Sequence, residues 1–185
     1  MGRGVSKISD NNRYNKSAIN NIESFFGKKV INNVVVSDEH FADLLSGAIA
    51  YIDPNDASTL YIRDAKTVQD YIDAHSRSLH KNATINSVMA HEIAHAISTS
   101  VNESDILSKA ISNFEKTSEY KTMLNSDPMN KFLPSWQLGA ESISKMATTT
   151  KHELFAEALA DVFQNKENAE SLSKIIFDEY KNYRS

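Results

Sequence analysis

The chain has 185 residues with 41% hydrophobic and 24% charged content, enough for one domain with a real core. Its net charge of −4 is spread over both signs and argues against a nucleic-acid footprint. The lack of cysteine removes disulfides, thiolate zinc sites and thiol nucleophiles, and leaves His, Asp and Glu as the strong metal ligands.

Residues 1–9 are small and polar and read as a flexible N-terminal segment, with no apolar stretch of the signal-peptide kind. From residue 10 onward the expectation is a single domain, with 10–58 as a candidate family-specific extension. Ile19, Ile22, Phe25 and Phe26 are spaced for a helix over Asp10–Phe26 that stops at Gly27. Val30–Val36 is β-branched and predicts a strand; Asp38–Leu45 predicts a short helix closed by Gly47. Ala48–Asp53 and Thr59–Arg63 flank a Pro54–Ser58 stretch of turn composition, which predicts an antiparallel hairpin.

Beyond the hairpin the pattern is helical. Helices are expected over Ala65–Ser78 and, after a loop at His80–Ala83, over Thr84–Ser100, with Asn82 or Thr84 as cap. Glu103–Tyr120 reads as one helix and Met123–Leu138, with Pro128 and Pro134, as irregular. Ala140–Ala147, Lys151–Asn165 and Asn168–Tyr183 complete the set. No apolar run reaches the length of a membrane span, so no membrane insertion is expected. The order predicts an α+β fold in which a small, mostly antiparallel sheet of about three strands packs on a predominantly helical domain.

The strongest chemical signal is His91-Glu92-Ile93-Ala94-His95. Histidines four apart on a helix share one face, so both rings can reach one metal ion. Glu92 projects beside the open coordination position, where it can take a proton from water and return it to a leaving amine. Met89, Ile93, Ala96 and Ile97 form an apolar stripe beside that face, as a helix packed on a core requires.

A catalytic zinc needs a third protein ligand. No third histidine follows closely, so a carboxylate from a later helix is expected. Glu153, Glu157 and Asp161 recur every four residues within Lys151–Asn165, with the small Ala156 and Ala160 beside them. Such a stripe is usually a solvated face. A histidine pair in need of a partner, and alanines suited to close helix approach, favour the ligand reading, with Glu153 and Glu157 both open by geometry.

His-Glu-x-x-His followed by Glu153-Leu154-Phe155-Ala156-Glu157-Ala158 resembles the gluzincin catalytic domain of anthrax lethal factor. It is similar also to the clostridial Pro-Pro endopeptidases and to metallopeptidase domains of phage head-morphogenesis proteins and polymorphic toxins. The likeness covers roughly Thr59–Phe163. It implies a zincin-like fold and one catalytic zinc ion held by His91, His95 and Glu153. Glu92 is then the general base and Glu157 the carboxylate that orients a ligand imidazole. It also implies hydrolysis of an extended peptide or protein by zinc-activated water, with Thr59–Arg63 as the edge strand that takes the substrate backbone.

One position departs. Where toxin and endopeptidase members carry an oxyanion-stabilising Tyr, seven residues before the ligand Glu, this chain has Met146, whose thioether donates no hydrogen bond. Tyr120, Tyr51, Tyr61 and His152 are conceivable replacements; His40, His75 and His80 read as ordinary surface residues. A catalytically weak zinc-binding toxin or phage module acting through a partner therefore stands beside the peptidase, and a metal-free helical interaction domain behind both.

Overall fold

Glu23 decides where the sheet begins. Its buried side chain accepts from the backbone N–H groups of Val30 and Ile31, both at 2.7 Å through Oε1. Those two donors are thereby withheld from a strand ladder, and the first strand, β1, covers only Asn33–Val36 of the expected Val30–Val36. The computed structural model describes residues 16–41, 48–53, 55–76 and 78–184. Residues 1–9, residues 10–15 of the first expected helix and residues 42–45 of Asp38–Leu45 lie outside them; Glu39–Phe41 forms a short 3-10 turn.

Helix α1 (Lys16–Phe26) ends at Gly27, whose φ of +64° is the left-handed conformation favoured by glycine. Strands β2 (Ala50–Asp53) and β3 (Asp56–Ile62) form the expected antiparallel hairpin, with Asp53 opposite Asp56. β1 pairs in parallel along the other side of β3, Asn33 opposite Thr59 through Val36 opposite Ile62. The sheet order is β1-β3-β2, so it is mixed rather than mostly antiparallel. Thr59–Arg63 is thereby corrected from an edge strand to the central one, with both of its sides already paired.

Eight α-helices occur among the described residues. After α2 (Ala65–His75) come α3 (Ile85–Ser98), capped by Thr84, and α4 (Glu103–Phe114). The expected helix to Tyr120 breaks after Phe114, because Thr117 starts a new one. Its hydroxyl donates back to Phe114 O and accepts from Tyr120 N, capping α5 (Ser118–Ser126). The stretch expected to be irregular holds the end of α5, a 3-10 turn at Pro128–Phe132 and the start of α6 (Ser135–Ile143). α6 ends early, at the extended Ser144. α7 (Lys151–Asn165) has its expected limits, and α8 (Ser171–Arg184) starts after a 3-10 turn that takes up Asn168.

One apolar core joins these elements, from Ile19 and Phe26 through Leu60 and Ile93 to Phe155 and Tyr180, so Ile19, Ile22, Phe26, Ile31 and Ala50 share the core of the rest. The most extensive helix contact is between α3 and α7. Both carry fully buried alanines, Ala90 and Ala94 on one and Ala156 and Ala160 on the other, which permit close backbone approach. No helix among the described residues is long and apolar enough to cross a membrane.

Candidate metal centre

The α3–α7 contact brings together side chains far apart in sequence. On α3, the rings of His91 and His95 stand 4.6 Å apart and nearly perpendicular, with their Nε2 atoms 3.0 Å from one another. On α7, Glu153 occupies the first turn, where its backbone N–H is held by the Thr150 hydroxyl. Its carboxylate reaches across, Oε2 to 3.3 Å from His91 Nε2 and Oε1 to 3.6 Å from His95 Nε2.

These three side chains each offer a ligand atom within 4.8 Å of the others, a group able to hold a metal ion. Two imidazole lone pairs and an anionic oxygen turned on one point repel unless a proton or cation lies among them. A nitrogen–nitrogen–oxygen donor set with room for further ligands suits zinc. The residues present therefore fit the ion.

Glu157, one turn along α7, is almost fully buried. Its Oε1 is 2.8 Å from His91 Nδ1, off the line of a straight hydrogen bond. Its Oε2 is 3.3 Å from His80 Nδ1. Asp161, third acid of the stripe, serves the fold: it accepts from Asn165 Nδ2 and from Glu170 N, tying the end of α7 to the approach of α8.

Charge follows this geometry. Burial works against ionising Glu157 and Glu153, yet the facing imidazoles hold both carboxyls well below their usual range. Burial also opposes charge on His91, but Glu153 and Glu157 raise it well above the ordinary histidine value when no metal is present. Glu92 differs. Burial pushes its carboxyl up, against the pull of His91 and His95, and no protein donor among the described residues bonds it.

All five groups open on one cleft of about 640 Å³. Its opposite wall is β2, with Ala50, Tyr51, Ile52 and Asp53, and Tyr71, Leu79 and Val88 add apolar surface. No family model, curated protein or solved structure matches the chain. The chemistry is therefore read from this cleft alone.

The conceivable oxyanion donors divide. His152 and Tyr51 line the cleft, together with the non-donating Met146. The His152 ring lies tilted against His95, with ring centres 4.3 Å apart, and its Nδ1 is 2.7 Å from Glu103 Oε2. Tyr120 is a correction: it packs edge-on against Phe114 on α4 and contributes nothing to the cleft wall. Tyr61 sits on the central strand in an aromatic stack with Tyr51 and His40.

His80 is the second correction. Expected at the surface, it is 2% exposed and forms part of the cleft. His40 and His75 are exposed, the latter stacked on Tyr71. The one available signal for His80 was its place just before the cap of the histidine helix.

Proposed function

We propose that the chain is a zinc-dependent endopeptidase of the gluzincin type. One observation carries this reading: His91, His95 and Glu153 converge in a cleft that also holds an unpaired, buried Glu92. Those three residues would hold the ion, which when bound supplies the Lewis acidity that makes water nucleophilic at neutral pH.

The remaining chemistry belongs to the chain. Glu92 follows the first ligand in sequence and lines the same cleft. With its carboxyl raised by burial, it accepts a proton from the attacking water and delivers it to the departing amine. Glu157 orients His91 so that the ring's Nε2 lone pair faces Glu153 and His95. Among the described residues β2 is an edge strand, and it lines the cleft; its backbone groups would take an extended peptide as an added strand.

A second reading, a weakly catalytic zinc module that acts by binding a partner, draws on Met146. This side chain is 39% exposed on the cleft and brings no donor to an oxyanion. Loss of one such donor costs about 10²–10³ in rate.

Peptide-library proteolysis read by mass spectrometry separates the two. Wild type with zinc is expected to cut, and both added chelator and Glu92→Ala to abolish cutting. Identical background from wild type and Glu92→Ala removes the peptidase reading.

A further inference from the structure

We propose that His80 is a positioning residue for the metal site, acting through Glu157 on the ligand His91; this rests on reading His91 as a ligand. The Glu157 carboxylate stands between two imidazoles, 3.3 Å from His80 Nδ1 and 2.8 Å from His91 Nδ1. The contact to His91 lies off the straight hydrogen-bond line. It alone leaves the carboxylate free to swing, and the second donor decides where it points.

His80 is held for this task independently of Glu157. It lies in the loop between α2 and α3, which is clasped to the end of α7 by side chains. Asn165 Nδ2 donates to Lys81 O at 2.8 Å, Asn82 Nδ2 donates to Asn165 Oδ1 at 2.9 Å, and Thr84 Oγ1 donates to Gln164 Oε1 at 2.8 Å. Asn82 takes a φ of +59° to make this turn, a conformation asparagine tolerates better than most residues. The clasp fixes the loop to α7 about two turns past Glu157, on the helix that also carries Glu153.

The chemistry of the ring argues against a space-filling role. His80 Nε2 is buried with no hydrogen-bond partner among the described residues. An orphaned buried nitrogen costs free energy, and an apolar side chain would fill the same space without that cost. What an imidazole adds here is the Nδ1 donor toward Glu157. With a proton on Nδ1 of each ring, Glu157 accepts from His80 and faces the His91 N–H at 2.8 Å, and His91 keeps its Nε2 lone pair free for the ion.

The test compares His80→Asn, which keeps a donor near the Nδ1 position, with His80→Gln, whose amide reaches further out, and His80→Leu, which has no donor. Zinc affinity is measured by competition with a chromophoric chelator, and the visible spectrum of the cobalt(II) form reports ligand geometry. His80→Leu and His80→Gln are expected to bind zinc about 10–100-fold more weakly, with an altered cobalt spectrum. His80→Asn is expected to recover most of the affinity and the wild-type spectrum. Should His80→Leu fail to fold, the Asn–Gln pair decides. Equal affinity for Asn and Gln, or wild-type affinity for Leu, overturns the role of His80 and leaves the metal site standing. A wild-type protein that binds no zinc overturns both.

Discussion

Replacing Glu153 by alanine removes both carboxylate oxygens that face His91 and His95, at 3.3 and 3.6 Å, and leaves two of the three proposed ligands. At free zinc about a thousand times the dissociation constant, binding adds about 4 kcal/mol to the stability of the wild-type fold. For a chain of 185 residues that is a rise in melting temperature of about 8–16 °C over the chelated protein. Loss of an orienting partner already weakens metal sites about 10–100-fold, so loss of a ligand is taken as at least about 100-fold. At the same zinc concentration Glu153→Ala then keeps about 1.4 kcal/mol, a rise of about 3–6 °C at most. Glu92 is outside the converging donors, and Glu92→Ala keeps the full shift. Scanning fluorimetry on the three proteins, with zinc and with chelator, reads this directly. An equal zinc shift in Glu153→Ala and wild type would refute the assignment of the third ligand.

Zinc binding should weaken on acidification. His91 is held above its ordinary value by Glu153 and Glu157 despite burial, and the protonated ring cannot ligate. A raised histidine stabilises the metal-free fold fully below about pH 6.5 and loses that contribution as pH climbs through its folded value. The zinc-dependent gain therefore grows as pH rises above about 6.5; full occupancy below about pH 4 would contradict histidine ligands. Met146→Tyr is expected to raise kcat by up to about 10²–10³ with KM little changed, and an unchanged rate in a peptide assay removes that position from oxyanion binding. Gly139→Ala would put a methyl 2.6 Å from Leu172 Cδ2 and 2.7 Å from Phe114 Cε1. Urea denaturation should register a loss of about 1–3 kcal/mol, and neutrality would mean that the α4–α6–α8 junction repacks freely.

What could be read from the sequence was what repeats along a helix. His91 and His95 share a face by their spacing of four, and the same spacing put Glu153 and Glu157 on one side of Lys151–Asn165. Thr150 caps that helix, and its limits came out as expected. Strand rank was not legible, because β3 becomes central only when β1 pairs on its far side, a contact across 26 residues from Asn33 to Thr59. The break after Phe114 has no glycine or proline to announce it and depends on Thr117 turning its hydroxyl back. His80 sits in a loop too short to show any period, and its burial depends on Asn165 some 80 residues downstream. Tyr120 looked available only while its partner Phe114 was assigned to the same helix.

The clasp at the two ends of the described fold bears on how the protein is made. The bare carbonyls where α1 stops are taken up by the last turn of α8: Tyr180 Oη and Arg184 Nη1 donate to Phe26 O, and Arg184 Nη2 to Gly27 O. Phe25 stacks on Phe177 from the same late helix. A nascent chain on the ribosome can lay α1 against α3, but these bonds wait for residues more than 150 positions downstream. The cleft is under the same constraint, since α3 emerges well before α7. Closure of the fold, and with it any capture of an ion, therefore waits until α7 and α8 have been made.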